Sequence, residues 1–184
     1  MGPHMRHISQ ARIGRIMLGR SDILKRMAKV FLVCAVAWTL CPQATFAGPT
    51  LVFNMEDGHV LYADDPDVPW YPASLTKMMT AYVTYEAIRN GRATMDTRVY
   101  ISPAARKQPP TKLGLGVGKY IMLSEALRAI MIKSANDVSV AIAETIGGDE
   151  QSFVKQMNQK AAELGMLGTH FVNPHGLPAI KQVT

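Results

Sequence analysis

Between residues 48 and 184 the chain contains no cysteine; its only two, Cys34 and Cys41, come earlier. That absence excludes disulfide staples and thiolate nucleophiles from the longer stretch, and it suits an exported domain. Metal-binding patterns are missing as well. His59, His170 and His175 are scattered, and no His-Glu-x-x-His run occurs. Gly114, Gly116 and Gly118 alternate without the Lys-Ser/Thr of a phosphate loop, so they read as a loop passing close to a site edge. Met78, Met79, Met131, Met157 and Met166 read as core filling. Neither metal nor cofactor is expected. Glu125, Asp137, Glu144 and Asp149 form no pair suited to glycosidase or aspartic chemistry, and Asp137 fits a helix start as a dipole partner.

Uncompensated charge is confined to the beginning. Residues 1–47 hold seven Lys or Arg against Asp22 alone, which accounts for the whole formal net charge of +6. The remainder has 13 basic and 13 acidic side chains. The high sequence pI of 9.4 therefore reports the leader and makes no case for nucleic acid.

After Lys29 come twelve apolar or small residues, 30–41, then Pro42 and Ala-Thr-Phe-Ala47 ahead of Gly48. A basic run, a short apolar core and small residues at a cut describe a secretory signal peptide. Twelve residues fall short of the roughly 20 that span a bilayer. A buried helix and a membrane anchor are the alternatives, the latter implying inner-membrane association. The expected division is a leader with an extended basic start, 1–47, and a folded part, 48–184. Export to the periplasm or to the outer face of the cytoplasmic membrane follows.

The folded part shows neither an internal repeat nor a low-complexity linker. Residues 50–55 and 59–63 flank Glu56-Asp57-Gly58 as a hairpin. A helical period runs from Ser74 to Asn90 and stops at Gly91. Residues 99–101 suit a short strand, and 104–119 an extended loop. Helices are expected over 124–132, with Ser124 as N-cap, then over 136–146 and 149–164. Residues 169–172 read as extended and 173–176 as a turn.

Two polar clusters stand out from this frame. Ser74 and Lys77 lie three apart after Pro72, which places hydroxyl and amine on one face of a helix's first turn. Ser74's N–H is among those a helix start leaves free, ready for an oxyanion. An amine desolvated by Leu75, Met78 and Met79 can serve as a base toward serine. Ser134 and Asn136 fall between the apolar stretches 126–132 and 138–146. Capping alone is one reading for both. The other is proton relay by Ser134 beside Lys77 and amide donation by Asn136 to a substrate carbonyl.

Ser74-Leu-Thr-Lys77 resembles the first motif of the penicillin-recognising serine enzymes, in the form found in D-alanyl-D-alanine carboxypeptidases, the low-molecular-mass penicillin-binding proteins. Ser134-Ala-Asn136 is similar to their second motif. Lys112-Leu-Gly-Leu, Lys133 to Asp137, and Ala162 through Leu177 extend the likeness. It implies an α/β (α+β sandwich) fold of the DD-peptidase/β-lactamase type. It also implies Ser74 as acylated nucleophile, Lys77 as general base, Ser134 as proton shuttle and Asn136 as substrate-binding residue. The implied reaction removes the terminal D-alanine from peptidoglycan pentapeptide stems, and β-lactams would acylate the same serine.

The family's third motif, Lys-Thr-Gly, is absent; Lys181-Gln-Val-Thr184 does not match it. The resemblance would put it beyond His175-Gly-Leu177, so a C-terminally truncated chain lacking the last sheet strands is expected, with little turnover. Loss of one oxyanion donor alone costs roughly 10²–10³ in rate. Two alternatives stand beside the carboxypeptidase. One is a β-lactamase-like serine hydrolase, which Ala135 between Ser134 and Asn136 disfavours. The other is a catalytically defective peptidoglycan- or penicillin-binding fragment.

Overall fold

The β-branched and aromatic residues of Thr50–Phe53 (β1) and Val60–Asp64 (β2) form an antiparallel hairpin. Gly58 closes its turn at φ +74°, a conformation open to glycine at little cost. These strands, like every element that follows, belong to a computed structural model that describes residues 24–31 and 48–184. The chain divides into two units, Met1–Phe46 and Ala47–Thr184. In the first, residues 24–31 are helical and exposed; residues 32–41 of the leader's apolar core, with both cysteines, and the cut before Gly48 lie outside the described residues. No described helix is long and apolar enough to cross a membrane.

In the second unit, helix α1 (Thr76–Arg89) follows the 3-10 turn Ala73–Leu75 and ends at Asn90, with Gly91 at φ +72°. A second antiparallel pair joins β3 (Arg98–Tyr100) to β4 (Tyr120–Met122). Between them lies a short helix, α2 (Pro103–Lys107), in the segment expected to be loop throughout. Its signal was local: Ser102 Oγ accepts the Ala105 N–H at 3.0 Å, and Pro103 begins the helix. Helix α3 (Leu123–Ile132) starts one residue before Ser124, which lies inside it and caps nothing. Helix α4 (Asn136–Gly147) and helix α5 (Glu150–Glu163) follow, the latter capped by Asp149 through the Ser152 N–H at 2.7 Å.

Helix α4 is the axis of this unit. Every residue from Asn136 to Ala143 is buried, and α1, α2, α3, α5 and β3 all pack on it. Its Val138, Val140, Ala141, Ile142 and Ala143 meet Met79 and Val83 of α1, Ala105 of α2, Leu127 and Ile130 of α3, and Phe153 and Met157 of α5 in one cluster. An all-round apolar sequence is what a central helix requires. The consequence for function is geometric: the N-terminus of α4 is held beside the N-terminus of α1.

Candidate active site

Pro72 has no N–H to give and a fixed φ, so the chain enters the turn Ala73–Leu75 there and runs on into α1. Ser74 stands exposed at this corner, while Lys77, one turn along, is only 2% exposed. The other side of the site is the connection from α3 to α4. Ala73 and Ser134 both adopt left-handed backbone, φ +47° and +57°. For residues with a Cβ this costs about 1–2 kcal/mol each, strain that a well-determined surrounding structure must sustain. The result is contact between the two hydroxyls, Ser74 Oγ and Ser134 Oγ lying 2.7 Å apart.

Lys77, one turn along from Ser74, turns its amine inward. Its Nζ donates to Asn136 Oδ1 at 2.9 Å and to the carbonyl oxygen of His175 at 2.6 Å. Among the described residues no hydrogen bond joins Lys77 to Ser74; the serine hydroxyl meets Ser134, and the amine meets Asn136 and His175. Asn136 is oriented by the exchange. Its oxygen faces the amine, and its Nδ2 donates to Pro109 O at 3.1 Å, which leaves one amide hydrogen uncommitted.

Burial holds the Lys77 amine down to about 8, from 10.5. His175 is pushed down to about 4, from 6.5, first by burial and then by the charge of Lys77. It is therefore neutral at pH 7, and because Nδ1 accepts the Leu177 N–H at 3.1 Å, its proton sits on Nε2. What the sequence did not reveal is that its backbone carbonyl contacts the lysine. Residues 173–176 signalled only a turn.

Asp137 does more than face a helix dipole. Its carboxylate accepts Leu113 N at 2.9 Å and Gly114 N at 2.8 Å, and Asn136 N donates to Thr111 O at 2.8 Å. The glycine-bearing loop is thus fastened to the start of α4. Among the described residues no cluster of His, Cys, Asp or Glu could hold a metal ion. A serine beside a second hydroxyl, one helical turn from a buried amine of lowered basicity, is an arrangement suited to nucleophilic acyl transfer.

The model of the D-alanyl-D-alanine carboxypeptidase family matches residues 38–184. The chain is 35% identical over 167 residues to the D-alanyl-D-alanine carboxypeptidase DacF of Bacillus subtilis, covering 84% of this chain and 43% of that protein. It is 37% identical over 139 residues to DacA of Haemophilus influenzae, covering 74% of this chain and 35% of the relative. The crystal structure of DacD from Francisella tularensis superposes with a TM-score of 0.71 at 34% identity, over 77% of this chain and 34% of that one. The chain thus spans less than half the length of these relatives.

Proposed function

Since the chain belongs to the D-alanyl-D-alanine carboxypeptidase family, we propose that it acts as a serine-type D-Ala-D-Ala carboxypeptidase on peptidoglycan stem peptides, with Ser74 as nucleophile. The contact of Ser74 Oγ with Ser134 Oγ, beside a buried Lys77 that bonds Asn136 of the same second motif, carries this reading. Free amine at Lys77 takes the hydroxyl proton of Ser74 by way of Ser134. Ser74 Oγ then bonds to the carbonyl carbon of the penultimate D-alanine, and the charge on its oxygen is met by the backbone N–H at the opening of the helix. The proton returns through Ser134 to the nitrogen of the departing D-alanine, the C–N bond breaks, and an ester on Ser74 remains. Water cleaves that ester. The uncommitted amide hydrogen of Asn136 holds the substrate backbone.

β-Lactams present the same carbonyl chemistry and acylate the same oxygen. Residues 1–47 export the protein, which works in the periplasm or on the outer face of the cytoplasmic membrane, and residues 48–184 form the N-terminal part of its catalytic domain.

The test separates two steps. A fluorescent penicillin is expected to label the full chain at Ser74, located by mass spectrometry of the tryptic peptide, and Ser74→Ala is expected to remain dark. Release of D-alanine from a diacyl-L-Lys-D-Ala-D-Ala peptide then reads turnover. Labelling that persists in Ser74→Ala overturns the nucleophile. Labelling followed by rapid β-lactam hydrolysis without D-alanine release favours a β-lactamase instead.

A further inference from the structure

Lys77 has two hydrogen-bond acceptors, and only one of them belongs to a motif. The other, His175 O, is a main-chain atom, so its position is set by the backbone of residues 173–177 and by whatever fixes that backbone. Asn173 is buried, and its Oδ1 accepts the N–H groups of His175 at 3.3 Å and Gly176 at 2.7 Å. Its Nδ2 donates to Leu177 O at 3.0 Å. One side chain therefore closes the turn from both ends. Thr80 of α1 fastens the turn again, donating from Oγ1 to Pro174 O at 2.6 Å. Gly176 lies at φ +84° with its Cα against the nucleophile's corner; a Cβ there would meet Ala73 O at 1.7 Å. The turn is held against Ala73, just ahead of α1, and bonded to Lys77 and Thr80 within it.

We propose that this Asn173–Gly176 turn is the device that aims Lys77, with Asn173 and Gly176 as positioning residues for the base. The inference rests on the assignment of Lys77 as base in the function given above. A neutral amine has two N–H bonds and one lone pair. Asn136 Oδ1 and His175 O occupy both N–H bonds, so the lone pair is directed away from these two acceptors, and the amine cannot rotate without losing a bond. With His175 O displaced, one N–H is free, the lone pair samples other directions, and water enters beside Nζ. The ionisable group facing the amine across the turn is the His175 imidazole, which stays neutral. The Asp137 carboxylate at the start of α4 is occupied by Leu113 and Gly114.

The experiment follows acylation of the full chain by a fluorescent penicillin between pH 6 and 10, in wild type, Asn173→Ala and Thr80→Val. Misplacement of a reacting group by about 1 Å costs on the order of 10²-fold. Asn173→Ala is expected to lower the acylation rate constant about 10–100-fold, leave pre-acylation affinity unchanged, and move the pH midpoint upward as the amine gains water. Thr80→Val removes one fastening and is expected to shift the midpoint the same way with a loss of about threefold to tenfold; it serves if Asn173→Ala does not fold.

Titration of the Lys77 side-chain nitrogen by NMR in the same proteins reads the amine directly. If wild type is never acylated yet Asn173→Ala still moves that titration, the catalytic reading fails and the positioning stands. Unchanged midpoint and unchanged titration in a folded Asn173→Ala overturn the proposal.

Discussion

The side chain of Lys77 ends 2.6 Å from the backbone oxygen of His175, a residue 98 positions further along the chain. That bond closes the candidate site, because it ties the nucleophile's helix to a turn inside the loop whose ends pair His170 with Val183. It also fixes a charge in a dry place, and the pH behaviour of the site follows from that.

Acylation should rise with pH through the titration of Lys77. Burial places that titration at about 8, and only the free amine can accept the serine proton. Roughly a tenth of the protein carries a free amine at pH 7 and half at pH 8. The logarithm of the acylation rate constant should climb by about one per pH unit below the midpoint and level off about one unit above it. Stopped-flow labelling with a fluorescent penicillin measures the curve. A profile flat from pH 6 to 9, or one rising only near 10.5, would remove Lys77 from the role of base. Replacing Lys77 by Met should slow acylation by about 10²–10⁴, the usual worth of a positioned general base.

Acid should destabilise the fold through His175. Its imidazole titrates at about 4 in the folded chain and at 6.5 when ordinarily solvated. Between these values the unfolded chain binds a proton that the folded one refuses, so stability falls as pH drops from 6.5 to 4 and the full penalty is present below 4. The urea midpoint at pH 7 should therefore exceed that at pH 4.5. His175→Asn, which keeps an acceptor for the Leu177 N–H, should show a smaller difference over that range. An equal difference in both proteins would exclude His175 as its source.

Gly176→Ala tests the contact between the turn and Ala73. The added methyl would collide with Ala73 O and lie 2.8 Å from Thr76 Oγ1, and the positive φ is unfavourable for alanine. Overpacking and backbone strain together amount to about 2–5 kcal/mol. Chemical denaturation should report a loss of that size at pH 7. A change below about 0.5 kcal/mol, the ordinary effect of a surface substitution, would mean the corner relaxes freely.

How far the sequence led can be judged residue by residue. The hairpin at Glu56-Asp57-Gly58, the helix stopping before Gly91, and the break between the helices expected over 136–146 and 149–164 were legible because each rests on local chemistry: an Asp-Gly turn, a glycine able to take positive φ, a period of 3.6. The spacing of Ser74 and Lys77 placed both at the opening of one helix for the same reason, whereas an association of that pair with Ser134 and Asn136 was expected from the family resemblance. The encounter of Lys77 with His175 O was not. A backbone carbonyl has no letter in the sequence, and the two sites lie in different elements. Helix α2 was hidden by the weight of Pro109-Pro110 and three glycines downstream, which obscured a five-residue helix with its own cap. Ser124 looked like an N-cap, yet packing of Leu123 into the core, fully buried, drew the helix start one residue earlier.

Asp137 gives the last prediction, because its carboxylate joins the glycine-bearing loop to the second motif. The oxygens accept from Leu113 N, Gly114 N and Val138 N, and the residue is fully buried. Asp137→Ala leaves two loop N–H groups without their acceptor, at about 1–3 kcal/mol for each that finds no water. Asn136 shares the loop through Pro109 O and Thr111 O, so freeing Leu113 and Gly114 should loosen the groups that orient its amide. Limited proteolysis should then cut within 108–119 faster than in wild type, and penicillin acylation should slow by about tenfold. Asp137→Asn retains one acceptor oxygen and should fall between the two. Cleavage rates in 108–119 that match wild type in Asp137→Ala would show that the loop holds its place without the carboxylate.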